Sequence, residues 1–446
     1  MLGLIKLMTY DIIIGRNESD KELFGKDGVI FLGKQYVKMG QTTSLSNNVY
    51  MDVNRAHVIL ISGKRGTGKS YSLSVIAEEI AKLPKEISNN LSVLMFDTMG
   101  VFWTMKYANT REEGLLEKWN LKPEGLNINV FTPKGYFDKY KEEGIATDFS
   151  FSIKPSELGG EDWCNLFNID INDPIGILIE RVVGELKESM KKYSIDDIID
   201  FIREDTRTIQ DVKDATENRF LGAKSWGLFD VNGTKVKDLV KRGTVSVLDV
   251  SCYGGVGSIR SLVVGLIAKK LFNERMSIRK KEEIENIKHG SGFLSLSISK
   301  KEDIPIVWLV IDEIHEFLPK EGKTPASDAL IQVLREGRQP GLSLLMATQQ
   351  PGEVHGDVIT QSDVVISHRV TAKADIDSLN NMMQTYLREN IQKSLNDLPK
   401  VKGSAIVLDD NSERVYPILV RPKLSWHGGE EPSAVKKIQQ KLDLGL

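Results

Sequence analysis

Residues 57–70 read His-Val-Ile-Leu-Ile-Ser-Gly-Lys-Arg-Gly-Thr-Gly-Lys-Ser. The first six are a nearly unbroken apolar run, the pattern of a strand buried on both faces. The next eight, Gly63, Lys64, Arg65, Gly66, Thr67, Gly68, Lys69 and Ser70, fit G-x-x-x-x-G-K-[ST] at every fixed position. Glycines let the backbone curl so that successive N–H groups point inward at phosphate oxygens. The helix expected over residues 71–83, with Leu73, Ile76, Ala77 and Ile80 on one face, adds its positive end. In such a loop Lys69 reaches the β- and γ-phosphates of a bound triphosphate and the Ser70 hydroxyl ligates Mg²⁺. The stretch lacks G-x-G-x-x-G, which argues against a dinucleotide fold.

A second motif completes the chemistry. Residues 306–311 (IVWLVI) form another apolar run and end on Asp312-Glu313. A strand of this kind delivers Asp312 to the carboxyl edge of a parallel sheet, beside the loop. There Asp312 is expected to hold Mg²⁺ through water, and Glu313 to polarise the attacking water. His315 and Glu316 follow and read as a solvated turn, against a catalytic relay. Gln349, at the end of residues 342–348 (LSLLMAT), reads either as a γ-phosphate sensor or as a satisfied strand-end amide. Arg335 and Arg338 lie in Leu-Arg-Glu-Gly-Arg, and Arg369 ends another strand. Each is a candidate for stabilising transition-state charge from a neighbouring subunit, against ordinary helix-end solvation. Asp97-Thr98-Met99-Gly100 resembles the D-x-x-G of GTPases, yet the guanine-reading Asn-Lys-x-Asp is missing. Residues 372–375 (AKAD) are the nearest string. ATP is therefore the expected nucleotide.

Outward from these motifs, strands alternate with helices over residues 51–150 and 236–425. The fold class expected is α/β: a RecA-like P-loop NTPase with a mostly parallel, doubly wound sheet. Helical periodicity dominates residues 151–235, read as an inserted helical subdomain. Residues 1–50, rich in β-branched and turn residues, read as a small β-rich, barrel-like module with short strands near 11–15, 29–33 and 35–37. Residues 274–303 turn charged and serine-rich, and read as a loop or a helix extension. Residues 426–446 form a tail. The 446 residues are 41% hydrophobic, enough for a full core, and the net charge of −3 argues against a wholly basic nucleic-acid-coating surface. The two cysteines, Cys164 and Cys252, read as core thiols in a reducing compartment. No run approaches the ~18 apolar residues of a membrane span, so a cytoplasmic protein is expected.

Taken in order, the loop, the acidic pair, the Glu-Gly-Arg turn, the Ala-Thr-Gln strand end and Trp426-His427-Gly428-Gly429 resemble the HerA–FtsK superfamily of DNA-pumping ATPases, archaeal HerA helicases above all. The early strings Ile14-Gly15-Arg16 and Phe31-Leu32-Gly33-Lys34 share in the likeness. The resemblance implies a homo-oligomer, a hexameric ring, with ATP at subunit interfaces and double-stranded DNA in the channel. It implies that Arg338 acts in trans and Gln349 as sensor. It also implies a NurA-like nuclease partner in DNA end resection, although residues 1–50 are shorter than the barrel usual in the family. Lys269, Lys270 and residues 279–281 are candidate backbone contacts in such a channel, against an ordinary solvated face. Two other readings stand beside it: a nucleotide-gated scaffold that regulates a nuclease without translocating, and a coupling ATPase of a secretion or conjugation system.

Overall fold

The computed structural model describes residues 10–39, 42–255, 257–289, 304–370 and 397–429, with positions 376, 377 and 395. Residues 290–303, 372–375 and 430–446 lie outside the described residues. Thirteen strands are described: β1 (Ile12–Ile14), β2 (Val29–Met39), β3 (Thr42–Asp52), β4 (Val58–Ser62), β5 (Leu91–Asp97), β6 (Ile128–Pro133), β7 (Phe149–Phe151), β8 (Val245–Asp249), β9 (Ile306–Ile311), β10 (Leu342–Thr348), β11 (Val364–His368), β12 (Ser404–Asp409) and β13 (Arg414–Val420). They form one sheet in the order β1-β3-β2-β13-β12-β11-β4-β10-β9-β5-β8-β6-β7.

From β11 to β7 every neighbouring pair is parallel. The reason lies in the apolar runs: Val58 and Leu60 enter the hydrophobic core on one face while Ile59 and Ile61 enter the other. A strand with both faces covered needs no polar alternation. β10 lies between β4 and β9, so the phosphate loop and the Asp-Glu strand end flank its tip.

The β-rich segment at the N-terminus extends this sheet. β2 pairs antiparallel with β13 and with β3. At Gly33 an added Cβ would lie 2.1 Å from the Leu419 carbonyl oxygen, so the crossing admits only glycine. The apolar alternation of the long β3 breaks off at Ser46, Asn47 and Asn48, so its length is not legible in the sequence.

A buried chain of charges ties this edge to the centre. The Arg16 guanidinium donates to Asp52 (Nε to Oδ1, 2.7 Å) and to the carbonyls of Gly25 and Asp27. His57, at the foot of β4, bridges Asp52 (3.0 Å) and Asp363 (2.6 Å). Burial alone would lower its pKa, but the two carboxylates raise it to about 9. A raised histidine contributes stability that is complete below its ordinary value near 6.5 and lost as pH climbs through about 9. Denaturation midpoints of the wild type and His57→Gln should therefore converge over that window. A constant gap between the two curves would place the proton elsewhere.

The helices cover both faces. α1 (Lys69–Ala81) follows the loop. Helices α2 (Gly160–Phe167), α3 (Pro174–Ser189), α4 (Ile195–Glu204) and α5 (Gln210–Ser225) make up the predicted helical segment. Its ends meet: Ile153 N–H donates to the Leu228 carbonyl at 2.8 Å. The 33-residue α6 (Gly257–His289) carries the first part of the charged stretch as helix. α7 (Ser327–Glu336) follows β9. Cys164 is buried and Cys252 half-buried, both as free thiols.

Candidate active site

The loop between β4 and α1 carries three glycines with positive φ: Gly63, Gly66 and Gly68. Space as well as backbone angle fixes Gly63, where a Cβ would lie 2.7 Å from the His368 Cβ. His368 lies under the loop at the end of β11. Its Nε2 is 2.9 Å from Ser72 Oγ and its Nδ1 is 3.1 Å from the Ser404 carbonyl. Burial pushes its pKa down to about 4, so a neutral ring supports the loop without competing for phosphate charge. The loop backbone is held by the Arg369 carbonyl, which accepts from Lys64 N–H at 3.3 Å. Nothing in the local spacing announced His368; the one hint was a histidine ending an otherwise apolar strand.

The Lys69 side chain is buried and folds back, its Nζ donating to the Lys64 carbonyl at 3.2 Å. Burial lowers its pKa, against the opposing pull of Glu313 and Asp312. The Ser70 hydroxyl donates to Asp312 Oδ2 at 2.6 Å, so two segments distant in sequence meet directly. Burial raises the Asp312 carboxyl above the usual range, with the Ser70 hydrogen bond opposing. Ser70 and Asp312 together present two hard oxygens at one point, the donor chemistry that suits Mg²⁺.

Glu313 follows in the left-handed region, at φ 51°, unusual for a residue with a side chain. That turn aims its carboxylate back at the sheet edge. Gln349 Nε2 donates to Oε1, while Oε2 is buried without a hydrogen-bond partner among the described residues. His315 Nδ1 stands 3.5 Å from Oε2 and 3.2 Å from Thr348 Oγ1. His315 is thus half-buried beside the carboxylate, where the sequence suggested a solvated turn. A buried carboxylate oxygen with no donor is costly unless water or substrate fills it.

Arg338 lies elsewhere. Its guanidinium is half-exposed and 3.4 Å from Asp363 Oδ1, at the amino end of β11. The loop sits at the carboxyl end of the same strand, about 17 Å away at ~3.3 Å per residue. Arg335 is paired with Asp357 (2.7 Å), and Arg369 is exposed beside the loop. Lys270 and Arg279 are ion-paired, to Glu157 and Glu283, while Lys269, Lys280 and Lys281 are exposed.

Asp97 accepts backbone N–H groups from Val101 (3.0 Å) and Phe102 (2.7 Å), so the D-x-x-G string closes a turn. Burial and the neighbouring Asp249 push its pKa up to about 7. The Trp-His-Gly-Gly string packs on α1: His427 meets Tyr71 edge-on with centroids 5.4 Å apart. Just before it, Ser425 and Leu424 donate to the buried Glu78 of α1, which also accepts from Arg421 at 2.9 Å.

A glycine loop opening a helix, an acidic strand end in contact with its serine and a glutamine just past the strand between them define a RecA-like P-loop ATPase. The chain matches the family described as "Helicase HerA, central domain" over residues 37–271 and belongs to it. It is 21% identical over 418 residues to "Probable helicase MJ1565" of Methanocaldococcus jannaschii, covering 89% of this chain and 71% of that one. It is 24% identical over 377 residues to "Probable DNA double-strand break repair helicase HerA" of the same organism, covering 78% and 69%. In fold it is similar to VirB4 of Thermoanaerobacter pseudethanolicus, with a TM-score of 0.54 at 11% identity over 89% of this chain and 96% of that one. No helix among the described residues is long and apolar enough to cross a membrane.

Proposed function

We propose that this chain is a ring-forming translocase that couples ATP hydrolysis at subunit interfaces to movement of double-stranded DNA. The observation that supports it most is the placement of Arg338. It stands at the opposite edge of the sheet from its own phosphate loop, out of reach in cis but available to a neighbour's. In a closed ring of identical subunits, such as a hexamer, each interface would join one subunit's loop to the next one's arginine.

Within a site, Lys69 binds the phosphates and Ser70 and Asp312 would hold Mg²⁺. The ion, when bound, would supply charge neutralisation on the phosphate oxygens. Glu313 takes the proton of the attacking water, and Gln349 holds its carboxylate in place and reports on the γ-phosphate. Arg338 of the adjoining subunit stabilises charge developing on the transferring group. Two relatives are named as double-strand break repair helicases, which supports work at DNA ends; a cytoplasmic setting and a NurA-like nuclease partner are part of this proposal.

ATP turnover by the purified protein should rise with duplex DNA and fall back as salt screens the backbone. Turnover indifferent to DNA of every length at low salt would remove translocation. A partner nuclease bound only in one nucleotide state would then favour the scaffold reading.

A further inference from the structure

We infer that Asp363, backed by His57, is a positioning residue that fixes the Arg338 guanidinium for use by a neighbouring subunit. The inference rests on the trans role proposed above for Arg338.

Asp363 is a buried carboxylate whose needs are met without Arg338. Oδ1 accepts from Val58 N–H at 2.9 Å, and Oδ2 faces His57 Nδ1 at 2.6 Å. Burial pushes the carboxyl up, but the His57 hydrogen bond and charge outweigh it and keep Asp363 ionised. The contact to Arg338 at 3.4 Å is therefore additional, directed outward from a core that is already satisfied. The Gln361 carbonyl accepts from the same guanidinium nitrogen, also at 3.4 Å. Behind Asp363 the charges alternate in sign: His57, then Asp52, then Arg16, each joined by a hydrogen bond. The Arg16 end is anchored in the loop carbonyls of Gly25 and Asp27.

An exposed arginine otherwise samples many rotamers, and ordering it costs entropy each time it acts. One carboxylate fixed at the strand foot biases the guanidinium in advance, which is how preorganised charge contributes to catalysis. Of the three arginines the sequence offered, Arg338 is the one joined to this buried chain. Arg335 is tied instead to Asp357 near the start of a short helix.

Subunit mixing tests the idea. Asp363→Asn should lower kcat by about 10- to 10²-fold with KM within a few-fold, the scale of a misplaced catalytic group. Mixed with Lys69→Ala subunits, which keep a sound arginine but lack a working loop, it should recover activity. Mixed with Arg338→Ala subunits it should not, because both lack a competent arginine. Recovery with Arg338→Ala but not with Lys69→Ala would place the defect at the chain's own loop and overturn the inference, as would wild-type turnover by Asp363→Asn alone. Should Asp363→Asn misfold, His57→Gln is expected to show the same pattern, and the reverse pattern there is equally fatal. Failure of Arg338→Ala and Lys69→Ala to complement each other in verified mixed assemblies would remove the trans role itself, and this inference with it.

Discussion

Glu313→Gln is expected to slow ATP turnover by about 10²–10⁴-fold, the range for loss of a general base, while leaving nucleotide binding intact. The substitution keeps the shape of the side chain but replaces Oε2, the buried oxygen without a donor among the described residues, by an amide unable to take a proton. Ser70, Asp312 and Lys69 are untouched, so affinity should stay within a few-fold. Single-turnover hydrolysis alongside equilibrium ATP binding separates the two effects. Turnover within a few-fold of wild type would transfer the base to another group, with His315, 3.5 Å from the same oxygen, next in line.

Lys69→Ala should act at the earlier step. Its buried ammonium interacts with the charges of both Asp312 and Glu313. Without it a triphosphate meets two carboxylates whose buried counter-charge is gone. Losing one charge-assisted contact of roughly 1.5–3 kcal/mol weakens binding by about 10- to 10²-fold, and the unbalanced carboxylates add to the loss. Hydrolysis should become undetectable. Thermal stabilisation by ATP, worth about 2.7 kcal/mol at a hundredfold excess over Kd, should fall to about 1.4 kcal/mol or less at the same ATP concentration. An undiminished thermal shift would mean that the backbone N–H cradle alone carries the affinity.

Much of this site was open to reading from the chain alone, for definable reasons. The glycine loop and the Asp-Glu pair are constrained by local chemistry, and the apolar runs before them say where they sit. β5, β10, α4 and α7 begin and end where the apolar patterning places them. What stayed hidden depends on contacts across the fold. His368 matters because β11 lies beside β4, a pairing that no local pattern encodes. Glu78 reads as one more charge on a helix face, yet it is buried and holds residues 421–425. Arg16 and His57 look unremarkable until Asp52 and Asp363 close on them. β3 is a strand because of its partners β1 and β2, not because of its composition.

The meeting of Ile153 with Leu228 has an evolutionary consequence. A segment that departs and returns through neighbouring backbone groups can change length in its exposed turns without dragging the strand tips that carry Asp97, Asp249 and Asp312, while its buried side chains, Trp163 and Leu178 among them, stay bound to the core they share with Leu94 and Phe96. Selection can thus diversify what this portion touches while the hydrolytic machinery beneath it stays as it is.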